Sequence, residues 1–135
     1  ILAGRPAMGK TSLATNIAFN AARRMLQDIA DGIAPEKSAG AAVAFFSLEM
    51  SADQLATRIL AEQSNIPGTQ IRTGNMNLNE FREFARVAGE LNSLPLYIDD
   101  TPGLTIAALR TRARRLKRQK NIGLIIVDYL QLLSG

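Results

Sequence analysis

The sequence predicts an α/β domain with a mainly parallel sheet flanked by helices. Short apolar runs recur at 41–48, 95–98 and 122–133. The segments between them carry helical spacing or helix-opening signals. Strands that alternate with helices form parallel sheets, because each crossover helix returns the chain to the same edge. Ligands of such sheets bind at the carboxyl ends of the strands, so distinctive residues placed there carry the most weight.

The elements follow in order. Ile1-Leu2-Ala3 gives only the end of a first strand, where strands usually run ~5–6 residues. Residues 12–27 place Leu13, Ile17, Ala21 and Met25 near helical spacing, predicting a helix with that inner face. Residues 28–40 mix Gly, Pro and charge and read as a loop or frayed helix end. Residues 41–48 (AAVAFFSL) are continuously apolar and rich in Val and Phe, as a buried parallel strand requires. Ser51 followed by Gln54 makes a capping box, opening a helix to about Glu62. Asn77 and Glu80 repeat that signal for a helix to about Leu91. Pro95 to Ile98 is a strand, followed by a turn at 99–103. Thr105 caps a helix to about Lys120 with Ile106, Leu109, Ala113 and Leu116 on one face. Ile122 to Leu133 gives the last strand. Both ends read as cut, since a parallel sheet needs further strands to cover its edges. The expected organisation is one partial domain over 1–135, a piece of a larger protein.

Composition limits the chemistry. The apolar fraction of 47% and charged fraction of 21% are ordinary for a globular domain. No apolar run reaches the ~18 residues of a membrane span, so no membrane partner is expected. The chain opens directly on a structural motif rather than on a signal or transit peptide. It holds no cysteine and no histidine. Disulfides, thiolate sites and the commonest general base are thereby excluded. Catalysis must rest on carboxylates, Lys, Arg, hydroxyls, backbone amides and a hard cation. The net charge of +4 suits a polyanionic partner but does not single one out.

Gly4-Arg5-Pro6-Ala7-Met8-Gly9-Lys10-Thr11 matches G-x-x-x-x-G-K-[ST], the P-loop, with Ser12 following inside the helix. Glycines let backbone amides close around phosphate oxygens, and the helix turns its amino end to the same anion. In that pattern Lys10 meets the β and γ phosphates of ATP, and the Thr11 hydroxyl is a ligand for Mg²⁺. The apolar run Leu124 to Val127 ends in Asp128, a carboxylate placed to hold the same Mg²⁺ (the Walker B pattern). Glu49 directly follows the strand at 41–48. It is placed either to polarise an attacking water or simply to suit the dipole of the helix opened by Ser51. Asp99 and Asp100 also end a strand. The turn reading is preferred for them over an outer metal shell. The helix at 105–120 carries Arg110, Arg112, Arg114, Arg115, Lys117, Arg118 and Lys120. A solvated face is preferred there over a nucleic-acid or subunit contact, and no interleaved aromatics offer a stacking platform.

GRPAMGKT, FFSLEMS, DDTPGLTIAALRTRARRLKR and LIIVDYLQLLSG, in this order, resemble the bacterial replicative DNA helicases of the DnaB family. The resemblance implies a RecA-like P-loop NTPase fold. It implies a motor that uses ATP and Mg²⁺, forms a homohexamer around single-stranded DNA and translocates 5′ to 3′. It also implies helicase loader and primase as partners and a cytoplasmic location. Residue by residue it puts phosphate binding on Gly4 to Ser12, the catalytic glutamate on Glu49 beside Lys10, and magnesium on Thr11 and Asp128. The segment 28–40 is longer than the family's usual link and is expected to be a surface insertion, which costs little extra closure entropy. Other RecA-superfamily ATPases (recombinases, clock-type proteins) and an assembly module that binds ATP with little turnover are the rival readings.

Overall fold

A computed structural model describes the backbone of residues 8–48 and 50–128, and the side chains of 11–48 and 50–128. The elements run α1 (Met8–Ala30), a 3₁₀ turn (Pro35–Lys37), β1 (Ala42–Ser47), α2 (Ala52–Ser64), α3 (Gly68–Thr73), α4 (Leu78–Ser93), β2 (Leu96–Asp99), α5 (Ile106–Lys120) and β3 (Ile122–Asp128). The three strands are parallel in the order β2-β1-β3. The expected first strand at 1–3 and the last strand beyond Asp128 lie outside the described residues.

β1 sits in the middle, and its alternation builds a core on each face of the sheet. Val43 and Phe45 pack with Ala14, Ala18, Phe19 and Ala22 of α1, with Leu55 and Ile59 of α2, and with Leu94. Ala42, Ala44 and Phe46 pack on the other side with Leu104, Ala113, Ile122 and Val127. Phe19, Phe45 and Phe46 are fully buried, each worth about 1.5–3 kcal/mol of apolar burial.

The inner face of α1 differs from the expected one. Leu13 is 53% exposed and Ile17 also faces solvent, while Ala14, Ala18 and Ala22 are buried. Ala14, Ala18, Ala22 and Phe19 take the contact with the core, and Leu13 and Ile17 turn away. Met25 is buried as expected. On α5, Ile106 is likewise exposed, whereas Ala113 is buried and Leu109 and Leu116 pack on the second core.

Local signals set most helix starts. Ser51 and Gln54 exchange side-chain and backbone hydrogen bonds, as do Asn77 and Glu80. Thr105 accepts from the Ala108 amide. The short helix α3 was not expected; its six residues carry no readable period.

The segment 28–40 is more ordered than a plain loop. α1 continues to Ala30 and stops where Gly32 takes φ +84°, a left-handed conformation that suits glycine. Asp28, buried at the base, accepts hydrogen bonds from Ser38 Oγ (2.8 Å), the Ala39 amide (3.0 Å) and Arg24 Nε (3.0 Å). The Ser38 hydroxyl is the main cause that holds its carboxyl below the usual range. Burial opposes it, and Ala39 and Arg24 add to the lowering. The Ala41 amide then donates to the Ala21 carbonyl, bringing the chain down onto α1 beside Gly40.

Candidate functional site

All three strands end on one edge of the sheet. Register places Ser47 opposite Asp128 and Phe46 opposite Asp99. The amino end of α1 arrives at the same edge. There the Thr11 hydroxyl donates to Asp128 Oδ2 at 3.4 Å, joining residues 117 apart in sequence. Both side chains are buried, Thr11 at 5% and Asp128 at 8% exposure. Burial pushes the Asp128 carboxyl up, opposed by the Thr11 bond and by the charge of Arg58. A buried carboxylate whose neighbours only partly balance it favours a bound cation.

The spacing fits one. An octahedral Mg²⁺ with oxygens at ~2.0–2.1 Å separates adjacent ligands by about 3 Å. The Thr11–Asp128 pair, at 3.4 Å, lies within a few tenths of an ångström of that. Such an ion would complete its shell from water and phosphate oxygens, as magnesium usually does.

Of the other expected site residues, Gly4, Arg5, Pro6, Ala7 and Glu49 lie outside the described residues. Met8, Gly9 and Lys10 form the first turn of α1. Ser12 lines a cleft between α1, α2 and α3. Either side of Glu49, the Ser47 hydroxyl donates to the Met50 carbonyl at 2.8 Å, closing the passage from β1 to α2.

Asp99 and Asp100 are turn and cap residues, as preferred. Asp99 accepts from the Thr101 amide (3.0 Å) and from Arg112 Nη1 (2.8 Å). Burial raises its carboxyl, but those bonds outweigh it and leave the group below its usual range. Asp100 accepts from the Ala52 amide at 2.7 Å, adding an acid to the amino end of α2. On the basic helix α5, Arg112 is engaged with Asp99, and Lys120 lies 5.6 Å from the centre of the Tyr97 ring. Arg110, Arg114, Arg115, Lys117 and Arg118 face solvent.

Three polar residues near the site were not singled out from sequence. Thr15 on α1 donates to Glu62 on α2 at 3.0 Å, and Arg58 lies one turn before Glu62. The i, i+4 spacing of Arg58 and Glu62 was the only available signal.

A parallel sheet between helices, with its polar groups gathered at the carboxyl edge, is a RecA-like α/β domain. The chain belongs to the DnaB-like helicase C terminal domain family, whose model matches residues 1–135. It is 50% identical over 135 residues to the replicative DNA helicase DnaB of Rickettsia bellii, covering all of this chain and 26% of that protein. It is 39% identical to the replicative DNA helicase DnaC of Bacillus subtilis, again over the whole chain and 27% of the relative. The chain thus spans about a quarter of the length of these relatives. Among solved structures, the ATPase domain of G40P superposes with a TM-score of 0.73 at 26% identity, covering 98% of this chain and 43% of that one. A DnaB-like replicative helicase, described with its interactions with primase, superposes at 0.67 and 26% identity, covering 98% and 29%. Among the described residues, no helix is long and apolar enough to cross a membrane.

Proposed function

We propose that this chain is the phosphate- and magnesium-binding part of a replicative helicase motor, one that hydrolyses ATP to move 5′ to 3′ along single-stranded DNA. The observation that carries the reading is the meeting of Thr11 and Asp128 at the sheet edge. Family membership and the likeness to helicase ATPase domains support it. The whole protein acts as a cytoplasmic homohexamer with a loader and primase as partners, by analogy with the family.

Each residue has a role in this reading. Gly4 to Ser12 form the P-loop, whose backbone amides cradle the polyphosphate. Lys10 brings a positive charge to the transferred phosphoryl group. Thr11 and Asp128 hold the metal, which, when bound, neutralises charge on the phosphate oxygens. Glu49 accepts a proton from the attacking water. β1 and β3 are hydrogen-bonded neighbours, so the segment after β1 and Asp128 at the end of β3 share one edge.

Two variants of the full-length protein test this together. Lys10→Ala loses a charge-assisted phosphate contact and should weaken ATP binding and abolish turnover. Glu49→Gln keeps shape but accepts no proton, so binding should persist while hydrolysis falls ~10²–10⁴-fold. Phosphate release and nucleotide binding are measured with and without single-stranded DNA. Wild-type turnover in Lys10→Ala refutes the site. Tight binding with negligible turnover in the unmodified protein would favour an assembly module instead.

A further inference from the structure

β2 pairs only with β1 among the described residues, so its outer flank is open. The Val43 amide donates to the Pro95 carbonyl at 2.9 Å, and register sets Val43 opposite Leu96 and Phe45 opposite Ile98. Along a strand, the main-chain groups of successive residues point to alternate sides. Pro95, Tyr97 and Asp99 therefore face β1, while Leu96 and Ile98 turn their N–H and C=O groups outward. No hydrogen bond from another described residue meets those outward groups. No bulge interrupts the pairing with β1 and no proline lies within Leu96–Asp99, so two common devices that blunt an edge strand are missing.

A groove of about 570 Å³ runs along this flank. The consecutive residues Leu96 to Asp100 line it together with Arg112, Arg115 and Leu116 of α5. Its acids are already engaged: Asp99 accepts from Arg112 Nη1 at 2.8 Å, and Asp100 accepts from the Ala52 amide at 2.7 Å. Arg115 is exposed and makes no ion pair among the described residues. α5 carries no acidic side chain to answer it. Tyr97 and Leu116, on the α5 side of the sheet, add an apolar wall.

We propose that the flank of β2 docks an extended acidic segment of a partner protein, which adds as a further strand and meets Arg115 with a carboxylate. The backbone specifies the strand. Outward donors and acceptors on every second residue match the edge of another strand, whose alternate side chains then fall on the α5 side. The unanswered guanidinium specifies the acid. A second copy of the chain fits poorly, because pairing β2 with β2 across a two-fold axis sets one basic α5 against the other. Nucleic acid also fits poorly. Phosphates accept hydrogen bonds but do not donate them, which leaves the Leu96 and Ile98 carbonyls unmatched. Lys120 already lies 5.6 Å from the centre of the Tyr97 ring, where a base would stack.

The test uses the full-length protein with labelled probes: a capped hexapeptide alternating Val and Glu, its Val–Lys counterpart, and a short single-stranded oligonucleotide. Fluorescence anisotropy gives the affinity, hydrogen exchange reports on the amides of β2, and phosphate release shows that the protein is intact. The Val–Glu peptide should bind and slow exchange at Leu96 and Ile98, and the Val–Lys peptide should not. Arg115→Glu, at an exposed position, should weaken the Val–Glu peptide roughly 10–100-fold with ATP turnover unchanged. N-methylation of alternate peptide residues should abolish binding in one phase and spare it in the other, because only one side of an added strand pairs with β2. Absent binding of the Val–Glu peptide, equal binding of the Val–Lys peptide, an unchanged affinity in Arg115→Glu, or indifference to the N-methyl phase would each overturn the proposal. So would tighter binding of the oligonucleotide that Arg115→Glu removes, which would mark the flank as a nucleic-acid surface. Slow exchange at Leu96 and Ile98 before any peptide is added would overturn it too, by showing the flank covered by another copy or another part of the chain.

Discussion

Replacing Thr11 by Val separates a structural role from a metal-binding one. The side chains are nearly isosteric and the position is 5% exposed, so packing hardly changes. What is lost is the hydroxyl bond to Asp128. At 3.4 Å it is well beyond the ~2.7–2.8 Å of a good O–H···O bond, so its own worth is small. A typical net hydrogen bond contributes about 0.5–1.5 kcal/mol, and this long one belongs at or below the bottom of that range. The melting temperature of the nucleotide-free protein should therefore move by no more than about 2–4 °C. Magnesium affinity is another matter. Even outer partners of a metal cost ~10–100-fold when removed, and a direct ligand should cost no less. The assay is phosphate release across a magnesium titration beside a thermal melt without nucleotide, with Thr11→Ser as the control that retains the hydroxyl. A melt lowered by more than about 10 °C would assign Thr11 to structure. An unchanged magnesium dependence would remove it from the metal site.

Asp28→Asn should lower the melting temperature at neutral pH. The folded carboxyl titrates below its usual range, so the stability it contributes is present above the ordinary carboxylate pKa and is lost as pH falls through the folded value. The gap between wild type and variant should close in melts run down that acidic window; a constant gap would contradict the charge argument. Gly40→Ala places a Cβ 2.4 Å from the Ala21 carbonyl oxygen and the Met25 amide nitrogen, both backbone atoms of α1. The cost should be about 1–3 kcal/mol of stability, less a few tenths regained from the stiffer unfolded chain. An unchanged or raised denaturation midpoint would show that the loop can lift off α1 freely.

Legibility in the sequence followed the range of the interaction. The capping pairs at Ser51–Gln54 and Asn77–Glu80 are local, and both helices begin where those residues require. The continuous apolar run at 41–48 correctly marked a doubly buried strand, because both of its faces meet apolar neighbours. The inner face of α1 was misread because periodicity shows where apolar residues recur, and alanines at another phase of the helix recur just as regularly. The face that is buried holds Ala14, Ala18, Phe19 and Ala22 instead. The P-loop and Asp128 patterns stood out because they carry chemistry in fixed spacing. Thr15 and Glu62 did not, since they are 47 residues apart and meet only once α2 lies on α1. Asp100 was legible as a turn residue, but its bond to Ala52 depends on β2 and β1 being neighbours.

The bonds gathered on Asp28 have an evolutionary consequence. They fasten the two feet of the excursion after α1 independently of its tip. Asp31, Gly32 and Ile33, with Pro35, Glu36 and Lys37, face solvent. Residues gained or lost at the tip would therefore leave the feet, and with them the entry into β1, where they are. The same independence makes the tip a handle: a fluorophore or affinity tag grafted between Asp31 and Lys37 would ride on the P-loop helix while standing clear of the sheet edge where Thr11 and Asp128 meet.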